Sequence, residues 1–112
     1  MQPEDRVRIG HMIESAQDAA RFVDGRSRAD LESDRMLLLA VVRAIEIVGE
    51  AASKLSPAFR SETSEIPWGL IISMRNRLVH AYFDVDPDIV WKTCTEELPA
   101  LLPQLHRLLQ QP

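Results

Sequence analysis

The chain has 112 residues and a formal net charge of −4, and 46% of its residues are hydrophobic against 27% charged. This length predicts one domain, residues 1–112, and the composition excludes a disordered tail. The acidic balance argues against broad affinity for nucleic acid, which depends on neutralising phosphate charge, so any RNA contact must be local.

Membrane, metal and disulfide signals are weak in this sequence. The longest unbroken apolar stretch, Met36 to Val42, is too short to cross a bilayer. The initial segment MQPEDRVRIG lacks the apolar region of a signal peptide, which predicts a cytoplasmic protein. Cys94 is the single cysteine and has no histidine at metal-ligand spacing, so we expect a small core residue and neither a metal site nor a cofactor.

Apolar periodicity predicts the first helix, from Pro3 to Val23, which the segment DGRSR ends. Its apolar stripe comprises Ile9, Met12, Ile13, Ala16, Ala20 and Val23. Asp30 or Ser33 is the expected N-cap of a second helix, RMLLLAVVRAIEIVGEAASKL, whose apolar residues cover well over half of its circumference. Such a helix belongs at the centre of the fold or at a subunit interface.

The second helix combines small residues with a polar strip. The small residues, which allow another backbone to approach closely, are Ala44, Gly49, Ala51 and Ala52. The polar strip comprises Arg43, Glu46 and Glu50. Its two acids are therefore available to a cation from another helix.

A turn-rich connection, SPAFRSETSEIP, follows, with one short helical turn expected after Pro57. Pro67 suits the first position of a third main helix, which carries the segment MRNRLVHAYF.

The last helical stretch is expected to begin with Asp86 as its cap and Pro87 as its first residue. Pro99 and Pro103 should kink or split it, because each removes a backbone donor. No convincing period-two strand is present. The predicted fold is therefore all-α, an up-and-down bundle of four main helices plus a short helical turn.

Helical projection divides the basic segment MRNRLVHAYF into two faces. The apolar face comprises Trp68, Ile71, Ile72, Met74, Leu78 and Val79, and the polar face comprises Ser73, Asn76, Arg77 and His80. Arg75 and Tyr82 project into the middle of the apolar face. Because a buried guanidinium needs a partner, Arg75 should meet Glu46 or Glu50, or open into an interface or cleft.

A histidine beside an arginine and an amide suits RNA cleavage without a metal. His80 would move a proton of the 2′-hydroxyl or of the leaving 5′ oxygen, and Arg75 would bind the phosphate, supported by Asn76 and Arg77. On one regular helix Arg75 and His80 point about 140° apart. Either the helix tightens near His80, or Arg77 contributes, or a two-fold dimer brings the groups of two chains around one cleft. A homodimer with such a composite cleft is the arrangement that we expect.

Two other interpretations remain open at this point. On their pattern alone, the polar residues of the segment favour a solvated helix face, with Arg75 in one structural ion pair and Tyr82 at the end of the core. The chain would also fit a non-catalytic dimeric module that holds a nucleotide or a nucleotidyltransferase partner.

The sequence resembles the HepT-like toxins of the HEPN superfamily over nearly its full length. Their signature is Arg, a polar residue, three further residues and His, which here is Arg75, Asn76 and His80. The segments IPWGLIISMRNRLVHAYFDVDPDIVWKTCTEELPALLPQL and AIEIVGEAASKLS are also similar to that family. One departure is Ser73, where a glycine is expected.

This resemblance implies a homodimeric, metal-independent endoribonuclease toxin of a HepT/MntA toxin–antitoxin system of the type VII kind. Its catalytic residues would be Arg75 and His80, with Asn76 beside them in the cleft. The implied partner is an MntA-like nucleotidyltransferase antitoxin that transfers AMP to a tyrosine two residues after the histidine. In this chain that tyrosine is Tyr82.

Overall fold

The computed structural model describes residues 1–81 and 84–111 and is mostly helical, which confirms the all-α prediction. The helices are α1 (Pro3–Val23), α2 (Asp30–Ser33), α3 (Arg35–Ser53), α4 (Pro57–Glu62), α5 (Trp68–Ile72), α6 (Met74–Leu78), α7 (Pro87–Lys92) and α8 (Leu98–Gln110). A small antiparallel hairpin, β1 (Val79–Ala81) and β2 (Asp84–Val85), was not expected. Two short helices, α5 and α6, stand where one long third helix was predicted.

The core lies where α1 packs against α3 and α8. Helix α1 has the predicted bounds, because Pro3 suits the first helical position and the buried apolar stripe runs from Ile9 to Val23. The cap of α3 is Asp34, whose Oδ1 accepts the Leu37 N–H at 3.1 Å. The predicted caps, Asp30 and Ser33, are instead the first and last residues of α2.

Helix α3 approaches α5 closely at Gly49, as its run of small residues predicted. A Cβ atom on buried Gly49 would lie 3.2 Å from the carbonyl oxygens of Ile71 and Ile72. Backbone carbonyls in a helix are held by the helix itself, so moving them away costs free energy. Only glycine fits at this position without displacing α5. This contact places the start of the basic segment beside α3.

We therefore expect Gly49→Ala to be less stable than Gly10→Ala. Both substitutions gain about 0.5–1 kcal/mol from reduced backbone entropy in a helix, but nothing lies within 4 Å of a Cβ at Gly10. Overpacking at Gly49 should cost about 1–3 kcal/mol. Urea unfolding of the two variants measures the difference, and equal stabilities would contradict the close contact.

The predicted start of the last helical stretch is confirmed, with Asp86 as the cap and Pro87 as the first residue of α7. A π-helical segment, Thr93–Glu97, separates α7 from α8. In it the Leu98 N–H donates to the Thr93 carbonyl, five residues back. Pro99 has no N–H with which to continue an α-helical register from Thr95, so the predicted split lies just before this proline.

Cys94 lies in this π-helical segment and is buried, as predicted for a small core residue. Burial raises the pKa of its thiol to about 12. Among the residues that the structure describes, no helix combines the length and the apolar character needed to span a membrane.

Candidate active site

The basic segment is not one continuous helix. The helix breaks at Ser73, whose hydroxyl donates to the Gly69 carbonyl at 2.9 Å, a side-chain bond that competes with regular helical geometry. Helix α6 then ends at Leu78, and the chain becomes extended. The prediction that Asn76 and His80 share the polar face of one helix was therefore wrong.

The hairpin sets the position of His80. Val79 pairs with Val85 and Ala81 pairs with Asp84, which leaves His80 as the extra residue of a β-bulge. The Asp86 N–H also donates to the Leu78 carbonyl at 2.7 Å, which closes the base of the hairpin. Bulges redirect side chains and are frequent beside active sites.

Arg75 lies on the α3 side of α6, and its Nε is 3.5 Å from Glu46 Oε1. Of the predicted alternatives for Arg75, the structure shows pairing with Glu46, but the predicted burial is wrong, because half of the Arg75 side chain is exposed (50%). Helix α6 is so short that buried Met74 and Leu78 anchor it while the residues between them reach solvent. Arg75 and Asn76 line a shallow cleft between α3 and α6, with Glu46, Gly49, Glu50, Ser53 and Ile72.

Arg77 points to the other side of α6. Its guanidinium lies 3.5 Å from Glu97 Oε2, in the π-helical segment. Arg77 and Glu97 line a separate, mostly apolar pocket between α5, α6 and α8. The structure therefore brings Arg75 and Asn76 together but separates Arg77 from them.

His80 is exposed, and its Nε2 lies 3.3 Å from Asp86 Oδ2. The other oxygen of Asp86 accepts the N–H groups of Asp88 and Ile89, at 3.0 and 3.3 Å. The Ile89 N–H lowers the pKa of the Asp86 carboxyl below its usual value, and the His80 imidazole adds to this effect. Asp86 is thus ionised at neutral pH.

Sequence reasoning assigned Asp86 only a capping role and did not single out Glu97. The available signal for Asp86 was its place between a histidine-containing extended segment and a proline that starts a helix. Glu97 offered no signal, because the π-helical segment that directs it toward Arg77 has no sequence pattern of its own. The predicted modification site, Tyr82, lies outside the described residues.

Each basic group of the site faces a carboxylate: Arg75 faces Glu46, Arg77 faces Glu97 and His80 faces Asp86. All three are accessible, and phosphate oxygens can replace carboxylates as acceptors for arginine. Within residues 1–81 and 84–111, no three His, Cys, Asp or Glu side chains form a cluster suited to a metal ion. The chemistry that the two arginines and the histidine can supply is anion binding and proton transfer.

The described part of the chain is a helical domain with an exposed Arg–Asn pair on α6 and a histidine on the hairpin that follows. Residues 12–108 match the family model described as "Ribonuclease HepT-like". Because the match covers most of the sequence, the chain belongs to the HepT-like ribonuclease family.

Curated relatives carry ribonuclease names as well. "Putative RNase TTE0752" of Caldanaerobacter subterraneus subsp. tengcongensis is 37% identical over 106 residues, which cover 95% of each chain. "Probable ribonuclease HepT" of Thermococcus cleftensis is 40% identical over 100 residues, 86% of this chain and 91% of the relative. "Putative RNase MJ1380" of Methanocaldococcus jannaschii is 33% identical over 90 residues, 80% and 83% of the two chains. No solved structure matches the chain significantly.

Proposed function

We propose that the chain is a metal-independent endoribonuclease that cleaves RNA with Arg75 and His80. The observation that carries this proposal is that both side chains are exposed, lie five positions apart in the sequence, and are each paired with a carboxylate that a phosphate can replace. His80 takes the 2′-hydroxyl proton or protonates the leaving 5′ oxygen. Arg75 stabilises the negative charge that develops on the phosphoryl oxygens.

Asn76 and Arg77 have supporting roles in this proposal. Asn76 lines the Arg75 cleft, where its amide can bind a phosphate or base edge. Arg77 lies on the other side of α6 and so suits a neighbouring phosphate of the same RNA strand. The 2′-hydroxyl is the nucleophile, so DNA is not a substrate.

The active form in this proposal is a homodimer with a composite cleft. In one copy Arg75 faces α3, whereas His80 faces the start of α7, and a second copy would let Arg75 of one chain and His80 of the other meet around one phosphate. Helix α3 also exposes Met36 and Leu39, which are 82% and 54% accessible and lie on the turns before Arg43 and Glu46. An apolar exposed stripe that leads into the cleft suits a two-fold interface.

The proposal is tested by incubating purified protein with RNA in EDTA, beside DNA of the same sequence. We expect RNA fragments that end in a 2′,3′-cyclic phosphate and intact DNA. No cleavage by unmodified, correctly folded protein would refute the proposed activity. RNA that is bound but left intact would instead support the non-catalytic binding module.

We further propose that the chain is the toxin of a toxin–antitoxin pair and that an MntA-like nucleotidyltransferase silences it by transferring AMP to Tyr82. The support is the resemblance of the sequence, in which Tyr82 follows His80 by two residues. Each AMP would add a negatively charged phosphate two residues after His80 in the sequence, and added negative charge on the basic segment would repel RNA.

Modification of Tyr82 is measured by mass spectrometry after incubation with the partner and ATP. We expect added AMP on the Tyr82 peptide together with loss of RNA cleavage. The matched control is Tyr82→Phe, which removes only the hydroxyl. Label that persists in this variant would reject Tyr82 as the site.

A further inference from the structure

We propose that Asp86 is a positioning residue that fixes the tautomer of His80, so that Nδ1 is the nitrogen that exchanges a proton with RNA. This inference rests on the proposed ribonuclease function, in which His80 is a catalytic acid or base. It adds the identity of the reacting atom and the residue that determines it.

The two oxygens of Asp86 have separate partners. Oδ1 accepts the N–H groups of Asp88 and Ile89, which fixes the carboxylate at the N-terminus of α7. Oδ2 is left to face His80 Nε2 at 3.3 Å. The carboxylate is therefore held in one orientation before it meets the imidazole.

The backbone also holds the two residues in register. The hydrogen bond from Asp86 N–H to the Leu78 carbonyl closes the hairpin, and the bulge at His80 directs that residue independently of the strand alternation. Arg28 forms an ion pair with Asp88, which attaches the start of α7 to the region before α2. Both sides of the His80–Asp86 contact are thus fixed to the domain.

An ionised carboxylate only accepts hydrogen bonds. Neutral His80 must therefore carry its proton on Nε2 to bond with Asp86, which leaves a lone pair on Nδ1. As a base, His80 takes the 2′-hydroxyl proton on Nδ1, and as an acid it returns a proton from the same atom. In either role Nε2–H stays bonded to Asp86.

Asp86→Asn separates this role from helix capping. Asparagine is as good an N-cap as aspartate, and its carbonyl oxygen can keep the Asp88 and Ile89 N–H groups. The amide NH₂ then faces His80 Nε2 and donates to it, which forces the proton onto Nδ1. The variant should thus fold normally but hold the wrong tautomer, an effect that costs about 10⁴-fold in kcat in the Ser-His-Asp triad.

The readout independent of activity is nitrogen NMR of histidine-labelled protein, at a pH where the imidazole is neutral. We expect the Nε2–H form of His80 in the wild type and the Nδ1–H form in Asp86→Asn. His80→Ala identifies the His80 signals among the three histidines of the chain. In RNA cleavage, kcat of Asp86→Asn should fall by about 10²–10⁴-fold with KM little changed.

The matched control is Asp34→Asn. Asp34 likewise caps a helix with Oδ1 and faces a cation, Arg26, with Oδ2 at 2.7 Å. This variant should change neither the His80 tautomer nor kcat. Asp86→Ser also caps the helix but is too short to span the distance to His80, and it serves in place of Asp86→Asn if that variant does not fold. It should hold a smaller fraction of the Nε2–H form than the wild type.

An unchanged Nε2–H tautomer in the substituted protein, or wild-type kcat with the proton on Nδ1, would overturn the inference. Its failure is distinguishable from that of the proposed function. If the wild type cleaves no RNA, the ribonuclease proposal fails, whereas the NMR comparison still decides whether Asp86 sets the tautomer.

Discussion

His80→Ala should lower kcat for RNA cleavage by about 10²–10⁴-fold, the range that a general acid or base contributes. Arg75→Ala should lower kcat/KM by about 10²–10³-fold, because it removes a donor aimed at the developing negative charge. Arg75→Lys should fall between Arg75→Ala and the wild type, since lysine keeps the charge but loses two-point phosphate binding. Initial rates on a defined RNA oligonucleotide in EDTA measure all three.

The matched control for Arg75 is Arg43→Ala. Arg43 belongs to α3 and pairs with the same acid, Glu46, at 3.6 Å, as well as with Glu50 at 3.3 Å. Its loss should leave the cleavage rate near that of the wild type. Both arginines are exposed, so neither substitution should change the free energy of unfolding by more than about 1 kcal/mol. Equal activity of Arg75→Ala and Arg43→Ala would exclude Arg75 from the catalytic step.

Mixing the two inactive variants should restore cleavage. If each cleft takes Arg75 from one copy and His80 from the other, a heterodimer of Arg75→Ala and His80→Ala has one intact cleft and one empty of both groups. An equal mixture after subunit exchange should therefore recover about a quarter of wild-type activity, as two-fold symmetry requires. The measurement is the initial rate against mixing ratio.

The control for this mixing experiment is the Arg75→Ala,His80→Ala double variant combined with each single variant. It can form heterodimers but cannot complete any cleft, so it should restore nothing. A mixture of the two single variants that stays inactive, although exchange is confirmed by mass spectrometry, would contradict a cleft shared in this way.

Much of the fold could be predicted from sequence because local signals determine it. The bounds of α1, Pro3–Val23, follow from one apolar stripe and a proline at the first position. The cap and first residue of α7 follow from the pair Asp86–Pro87. The contact at Gly49 follows from small residues in an otherwise bulky helix. In each case the residues that give the sequence pattern are the same residues that make the helix end, the cap or the close contact.

The third helix could not be predicted in this way. Val79 and His80 continue the helical projection, but pairing with β2 and the Asp86-to-Leu78 hydrogen bond hold them extended. Strands of three and two residues are too short to show alternation. The hairpin is therefore determined by backbone pairing between neighbouring segments that carry no periodicity of their own, and this pairing also places Asp86 beside His80.

The site residues also divide into features with a local sequence signal and features without one. Arg75 was assigned to Glu46 or Glu50 because a cation on a packed helix needs an acid, and Glu46 is its partner. The exposure of Arg75 could not be predicted, because the helical projection applies to one long helix. Helix α6 has only five residues and lies between Ser73 and the hairpin.

The pairing of every cation in the site with a carboxylate means that the free protein already carries its own counterions. RNA must displace Glu46 and Glu97 to reach the two arginines, so binding is an exchange of one anion for another. Binding by such an exchange has a smaller net release of bound counterions into solution than binding to unpaired arginines would have. Affinity for RNA should therefore fall less steeply with added salt than a count of phosphate contacts suggests.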